Sequence, residues 1–306
     1  MTYLVNSIGY ISFNVRDMAA MVADSTNVLG LHVTEASPNL TMLSSNGRRA
    51  EMVLHASREN SCRCVGLEAV SREAVREVAR RAKEAGCRIV REKAALPFVE
   101  DGVAFATDDG HILEVHTPIP TPLYGRRHLT KGVGPNRIDH VNISTEDPVR
   151  LQKLLGHVLG VKLSERIGED DVSFMRGANR QHHMFSIVRG SSSLHHYAWE
   201  LLEFGDYMRL GDILDLHHRN FVWGPGRHRA GDNVYAYYID AMGAMVECSH
   251  DMAYIADDAV FSPPTLDPGP PPGDPLVLNC WGTRPPTEWL EQRHPFAKIE
   301  ALAAVN

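Results

Sequence analysis

Long hydrophobic runs and clustered positive charge are both missing from this sequence. No apolar segment approaches the roughly 20 residues that cross a membrane, and residues 1–15 lack the basic region and apolar core of a secretion signal. The formal net charge is −7, without a basic stripe or a run of like charge. We therefore expect a cytoplasmic protein that binds neither nucleic acid nor a membrane surface.

Cysteine is also scarce. The chain has five cysteines, an odd number, among 306 residues. This usage favours free thiols in a reducing compartment over a disulfide framework. Cys62 and Cys64 are too closely spaced for a zinc knuckle and have no second pair, so we expect no structural zinc.

What the sequence does contain is an internal repeat. Residues 8–17 match residues 138–147 without a gap, so that Tyr10 corresponds to His140. In each copy, alternating apolar residues predict a strand, and an amphipathic helix with a Leu-Gly stop follows. In the second copy Asp147 is a plausible N-cap residue and Gly160 a plausible helix stop. The period is too long for a solenoid and predicts duplicated domains.

The length of the chain and the repeat together predict its organisation. We expect an α+β fold of tandem βαβββ modules that form two domains of curved mixed or antiparallel sheet. The predicted units are an N-terminal domain over 1–133, a C-terminal domain over 134–255, and a Pro-rich crossover and tail over 256–306. Further helices are expected at 71–85 and at about 205–217.

The two copies differ at the residues that could carry chemistry. The second copy has His140, His196 and Glu247 on three predicted strands, whereas the corresponding residues of the first copy are Tyr10, Cys64 and Glu114. A single strand histidine is more often a core residue. Two histidines and one carboxylate together suit Fe(II) and leave coordination positions open. A metal would also balance an ionised carboxylate inside the fold, which otherwise costs several kcal/mol.

The motifs around these residues resemble a known family. The segments 194–196 and 224–228, together with Tyr237, Asp240, Gly243 and Glu247, resemble the type I extradiol dioxygenases of the vicinal oxygen chelate superfamily. The likeness is strongest to the homoprotocatechuate and catechol ring-cleavers and extends from about residue 8 to residue 251. It implies two vicinal oxygen chelate domains, of which only the C-terminal one is active.

The resemblance also implies roles for individual residues. His140, His196 and Glu247 correspond to the ligands of Fe(II), with Mn(II) as the other possible metal. His183 corresponds to the acid/base histidine, although His182 is an open alternative. The resemblance further implies contacts with the catecholic oxygens, with bound intermediates or with the O₂ site for three residues, which are Tyr237, His228 and Asn142.

The residue before the Gly-Pro-Gly segment bears on the substrate. Ring-cleavers that grip a carboxylated side chain have an arginine there, and this chain has Trp223. We therefore expect a neutral or hydrophobic substituent or a larger aromatic, unless Arg176, Arg180 or Arg293 supplies a charge. The residues expected to contact substrate are Trp223, His182, Met175 and His195.

The activity implied by the resemblance is ring cleavage of a catechol by Fe(II) and O₂ in aromatic-compound catabolism, in a homo-oligomer. One alternative is an isomerase or lyase of the same superfamily with another divalent metal. Asn142, His228 and Tyr237 argue against it. The other is a ligand-binding relative without catalysis, which need hold no metal.

Overall fold

The computed structural model describes residues 2–122, 131–169, 171–269 and 274–300. Within these ranges the chain forms two halves, each organised around one mixed sheet. None of the helices in these ranges is long and apolar enough to cross a membrane. The end of the N-terminal unit expected over 1–133 and the Pro-rich crossover each fall partly outside the described residues, at 123–130 and 270–273.

The N-terminal half forms an eight-stranded sheet with the order β2-β3-β4-β1-β5-β8-β7-β6. A π-helical turn at Ser25–Leu29 extends its first helix. In chain order the elements are β1 (Val5–Val15), α1 (Met18–Asp24), β2 (His32–Ser37), β3 (Leu40–Ser44), β4 (Met52–Ala56), β5 (Ser61–Ala69), α2 (Arg72–Glu84), β6 (Arg88–Arg91), β7 (Gly102–Ala106) and β8 (Ile112–His116).

The C-terminal half repeats this arrangement in a ten-stranded sheet, with the order β17-β10-β11-β12-β9-β13-β16-β15-β14-β18. A 3₁₀ turn at Pro275–Leu278 precedes its last strand. The elements are β9 (Arg137–Thr145), α3 (Pro148–Leu159), β10 (Lys162–Ile167), β11 (Val172–Arg176), β12 (Phe185–Arg189), β13 (Ser193–Glu200), α4 (Gly205–Leu216), β14 (Trp223–His228), β15 (Val234–Ile239), β16 (Met245–His250), β17 (Thr265–Leu266), β18 (Asn279–Trp281) and α5 (Thr287–Leu290).

Each half contains two βαβββ modules joined through their first strands. β1 pairs with β5 antiparallel, and β9 pairs with β13 in the same way. The last strand of each module returns parallel to the first, as β4 does to β1 and β16 does to β13. The predicted α+β fold of tandem modules is therefore confirmed, and neither sheet closes into a barrel.

The helix cap and the helix stop predicted from the sequence are confirmed. The Asp147 carboxylate accepts a hydrogen bond from the backbone N–H of Arg150 at 3.0 Å, and Pro148 occupies the first turn. Gly160 ends the helix with φ of 69°, a left-handed conformation that glycine adopts without a steric penalty. The helix expected at 71–85 spans Arg72–Glu84 behind a Ser71 cap.

The tail extends the second sheet instead of lying apart from it. β17 pairs with β10 at one edge, and β18 pairs with β14 at the other. After these pairings α5 packs against the sheet, where Trp289 is 9% exposed and contacts Trp223 and Tyr237. Trp281 is 46% exposed, so of the two tail tryptophans only Trp289 is covered.

A buried carboxyl group joins the two halves. Glu51 is fully buried and accepts hydrogen bonds from the backbone N–H of Ser45 at 2.7 Å and from Asn46 Nδ2 at 2.9 Å. It also accepts one from the backbone N–H of Ile138, in the second half, at 3.2 Å. Because every contact is a donor, this position requires an acceptor on both oxygens.

We expect Glu51→Gln to lower the free energy of unfolding by about 1–3 kcal/mol, because the amide NH₂ would meet donors instead of acceptors. Urea titration followed by circular dichroism measures this. Glu35→Gln, at an exposed ion pair with Arg49, is the matched control and should change stability by less than about 0.5 kcal/mol. Equal effects of the two substitutions would contradict the structural role of Glu51.

Candidate metal centre and its cavity

Three neighbouring strands bring His140, His196 and Glu247 together. β9, β13 and β16 are adjacent, and their register places His196 opposite Asn142 and Glu247 opposite Ala198. Because side chains alternate across a strand, all three ligand candidates point to the same face of the sheet. One nitrogen or oxygen atom from each lies within 4.8 Å of the others, and all three side chains are buried. A shared ion is geometrically possible.

The neighbour of His140 determines which of its nitrogens faces the centre. Asp139 Oδ2 lies 2.9 Å from His140 Nδ1, and a carboxylate can only accept a hydrogen bond. His140 Nδ1 therefore carries a proton, and in the neutral ring Nε2 presents its lone pair to Glu247 Oε2, 3.1 Å away. Two lone pairs at that distance repel unless a proton or a metal ion lies between them. Although burial lowers it, the Glu247 charge and the Asp139 hydrogen bond raise the pKa of His140 to about 10.

A second set of hydrogen bonds determines which nitrogen of His196 is protonated. The Trp289 carbonyl accepts from His195 Nε2 at 2.8 Å, so His195 Nδ1 is the acceptor for His196 Nδ1, also at 2.8 Å. Burial lowers the pKa of both rings and keeps them neutral, although the Glu247 charge raises it. His196 Nε2 is then a lone pair that makes no aligned hydrogen bond with any described residue. This is the state in which an imidazole binds a metal.

The carboxylate of Glu247 is held from its other sides. Asn233 Nδ2 donates to Oε1 at 2.9 Å, and the Tyr237 hydroxyl donates to Oε2 at 2.7 Å. Burial alone would raise its pKa, but the two histidines lower the pKa of Glu247 well below its usual range. The group is therefore an oriented, ionised ligand. A divalent cation would replace the proton that His140 Nε2 otherwise shares with Glu247, and the two imidazole nitrogens and this carboxylate fit such a cation with open positions.

The candidate metal centre lies at the base of a cavity of about 190 Å³. A single aromatic ring fits a space of this size, since a cavity of about 150 Å³ holds benzene. The walls away from the three ligands are mainly apolar, and they are formed by Val172, Phe174, Val188, Leu278, Trp289 and Leu290.

His183 lies beside the candidate metal centre, with its ring 4.5 Å from that of His140, and it lines the cavity. Glu165 Oε2 accepts from His182 Nε2 at 3.1 Å, and His182 Nδ1 lies 3.0 Å from His183 Nδ1. His183 Nδ1 is thus engaged, and Nε2 is the nitrogen left for a ligand. Burial and the adjacent imidazoles lower the pKa of His183 well below its usual value, so the ring is a neutral base.

Tyr237 and His228 form a pair on the opposite side of the cavity. His228 Nε2 lies 2.9 Å from the Tyr237 hydroxyl, which also contacts Glu247, so one phenolic proton serves two acceptors. Burial and the Glu247 charge raise the pKa of Tyr237, which keeps it protonated, and burial lowers the pKa of His228 to about 4. Asn142 also lines the cavity, and its Oδ1 has no hydrogen-bond partner among the described residues.

Four residues expected to contact substrate do not line this cavity. Trp223 stacks behind Tyr237 at 5.5 Å between ring centroids, and its Nε1 donates to the Thr283 carbonyl. His182 and His195 directly precede His183 and His196 in the chain. Each contacts Nδ1 of its neighbour and so orients that ring. Met175 packs into the core, because it points to the sheet face opposite that of Phe174. These four residues support the site from outside the cavity.

Sequence reasoning missed most of the cavity wall. Phe174 is adjacent to Met175, the residue expected to contact substrate. Strand alternation places Phe174 on the same face as Val172 and Arg176 and would have identified it. Trp289 and Leu290 come from the tail, for which no pattern indicated a place. The candidate arginines also lie elsewhere: Arg176 pairs with Asp258, and Arg180 and Arg293 donate to backbone carbonyls.

Comparison with known proteins gives one family model and several relatives. Residues 7–115 match the Glyoxalase/Bleomycin resistance protein/Dioxygenase superfamily. Metapyrocatechase 2 of Cupriavidus necator is 27% identical over 175 residues, which are 51% of this chain and 54% of that protein. The matches thus span about half the length of the first curated relatives.

Solved structures match nearly the whole chain. The 3,4-dihydroxyphenylacetate complex of homoprotocatechuate 2,3-dioxygenase from Brevibacterium fuscum has a TM-score of 0.86 at 21% identity, covering 98% of this chain and 95% of that one. A Mn(II)-bound glyoxalase from Novosphingobium aromaticivorans has a TM-score of 0.84 at 27% identity, covering 98% and 99%. The family model thus matches residues in the N-terminal half, and the same modules repeat in the C-terminal half, so that the chain is similar to the Glyoxalase/Bleomycin resistance protein/Dioxygenase superfamily and has the fold of these solved structures.

Proposed function

We propose that this protein is an extradiol dioxygenase that opens a catechol-type ring with O₂ and a divalent metal, Fe(II) or Mn(II). The observation that carries the proposal is the combination of two metal-ready imidazoles and a carboxylate with a neutral imidazole base in a ring-sized apolar cavity. The activities named for metapyrocatechase 2 and homoprotocatechuate 2,3-dioxygenase support it. Location in the cytoplasm and assembly into a homo-oligomer remain predictions.

His140, His196 and Glu247 would hold the metal. A ferrous or manganous ion bound there supplies Lewis acidity for the two catechol oxygens and a route for electrons from the ring to O₂. The protein contributes fixed ligand orientation through Asp139 and His195, which determine the nitrogen that each histidine presents. The ligand geometry is therefore set before a substrate enters.

His183 is the residue that we assign to proton transfer. Its free Nε2 can take a proton from a catechol hydroxyl and return one later, because the ring is neutral and lies in the cavity. His182 and Glu165 hold His183 Nδ1 in a defined protonation state. Tyr237 keeps its proton and can donate it to an oxygen that gains negative charge.

The apolar walls bear on the ring substituent. No arginine or lysine is among the residues that line the cavity within the described part of the chain. A carboxylated substituent would therefore be buried without a partner. We propose a neutral or hydrophobic substituent.

A second candidate function is an isomerase or lyase reaction at the same metal site. The Mn(II)-bound glyoxalase that matches almost the full chain favours it. The two candidates differ in their need for oxygen. Product formation from catechols with O₂ uptake supports ring cleavage, whereas turnover without O₂ consumption, and none with catechols, would favour the alternative.

Removal of a ligand should weaken metal binding. We expect wild-type protein to hold about one Fe(II) or Mn(II) per chain after anaerobic reconstitution, and Glu247→Ala and His196→Ala to bind it at least 10-fold more weakly. Elemental analysis after gel filtration measures the bound metal. His157→Ala, at an exposed helix position, is the control and should keep full occupancy. Full occupancy in both ligand variants would refute the assignment.

Substitution of each of the two adjacent histidines tests which one carries the acid/base role. We expect His183→Asn to lower kcat by about 10²–10⁴-fold with metal content unchanged, because the proton acceptor is lost. His182→Asn should lower it less, since the His183 ring remains in the cavity. Oxygen uptake and the absorbance of the ring-opened product measure both. A larger loss in His182→Asn would transfer the role to that residue.

Substituent preference tests the cavity walls. We expect kcat/KM for 4-ethylcatechol to exceed that for 3,4-dihydroxyphenylacetate by about 100-fold or more, because the second compound must bury an unpaired carboxylate. Leu290→Arg, at a half-exposed wall position, should narrow this ratio, and Leu216→Arg, on an exposed helix, should not. Equal kcat/KM values for the two catechols in the wild-type protein would contradict the proposal.

A further inference from the structure

The N-terminal half keeps the strand arrangement of the candidate metal centre and its carboxylate, but not its two histidines. The strand register places Cys64 opposite Ser12 and Glu114 opposite Gly66, as it places His196 opposite Asn142 and Glu247 opposite Ala198. Glu114 is fully buried, like Glu247. The Arg91 guanidinium pairs with it, and the Ala95 backbone N–H donates to it at 3.1 Å. The carboxylate is therefore balanced without a metal.

Arg91 of this ion pair also lines a second cavity, of about 160 Å³. That volume again suffices for a single six-membered ring or a branched aliphatic group. Its apolar walls are formed by Leu40, Met42, Val53, Val90, Leu96 and Ile112. Leu40 and Val90 are partly exposed, so the cavity is open to solvent.

Arg63 lines this cavity and has most of its donors free. Its Nη1 donates to Asn14 Oδ1 at 2.9 Å, and no carboxylate of the described residues forms an ion pair with it. A guanidinium has five N–H donors in a planar fork, which matches the two oxygens of a carboxylate. The side chain is only partly exposed, so an anion bound there would be screened less than one at the surface.

The other titratable groups at this cavity do not neutralise the positive charge of Arg63. Burial and the charges of Arg63 and Arg91 lower the pKa of His55 to about 4, so the ring is neutral at pH 7. Burial raises the pKa of Tyr10 and of Cys64, and both stay protonated. Glu114 offsets only one of the two arginines. The N-terminal cavity is thus cationic, whereas the cavity at the candidate metal centre has apolar walls without a cationic side chain among its described lining residues.

We propose that the N-terminal half binds a small organic carboxylate, with the carboxylate on Arg63 and an apolar body of about one ring in the cavity. The binding site is separate from the candidate metal centre, and it does not depend on the proposed ring cleavage. Its ligand class differs from that proposed for the C-terminal half, because the guanidinium selects an anion and the metal site selects vicinal oxygens.

The experiment uses 4-fluorophenylacetate as the probe and 4-fluorophenylacetamide as its neutral comparator. Binding to the metal-loaded, full-length protein is followed by ¹⁹F line broadening, under anaerobic conditions with catechol present to fill the C-terminal cavity. We expect saturable binding of the carboxylate and at least 10-fold weaker binding of the amide. Arg63→Met should weaken the carboxylate at least 10-fold and leave ring cleavage unchanged.

Arg72→Met, at an exposed ion pair, is the matched control and should bind like wild type. If Arg63→Met does not fold, as judged by circular dichroism, Leu40→Trp provides the test, because the larger side chain fills the mouth of the cavity and should abolish binding. No saturable binding to wild type would overturn the proposal. So would equal binding of acid and amide, or undiminished binding to a folded Arg63→Met or Leu40→Trp protein.

Discussion

In each half, the last strand of the second βαβββ module carries a buried carboxylate that requires a cation, and the residues around it differ according to which cation is supplied. Glu247 and Glu114 occupy equivalent positions, and both are removed from water. An ionised carboxylate left alone there would cost several kcal/mol. In the first half Arg91 supplies the charge from within the chain. In the second half the neighbours are two imidazoles, which leave room for a metal ion.

Polar groups outside the cavity control the chemistry inside it. Asp139, the Trp289 carbonyl and Glu165 can only accept hydrogen bonds, and each one determines which nitrogen of an imidazole is protonated. As a result, His140, His196 and His183 each present an unprotonated nitrogen, with its lone pair, to the cavity. A site of this kind depends on residues that never touch a substrate, which explains why His182 and His195 are buried behind their neighbours.

Much of this arrangement could be predicted from the pattern of residues. The repeat aligns His140 with Tyr10. The residues that differ between the two aligned copies indicate which strand residues could bind a metal. The Asp147 cap and the Gly160 stop were correct because they depend on local backbone geometry. The substrate contact expected for Met175 is different: strand alternation turns Met175 into the core and Phe174 towards the cavity, and Phe174 lines the cavity wall.

The sequence by itself determined the duplicated α+β modules and the three candidate ligands, since these follow from periodicity, local signals and differences between aligned copies. Only the tertiary structure decided the rest. The cavity walls combine β11 and β12 with the tail residues Trp289 and Leu290, more than 100 residues apart along the chain. The ion pair of Arg91 with Glu114 likewise joins two strands. Such contacts depend on how strands pair across the sheet, and no local pattern records that pairing.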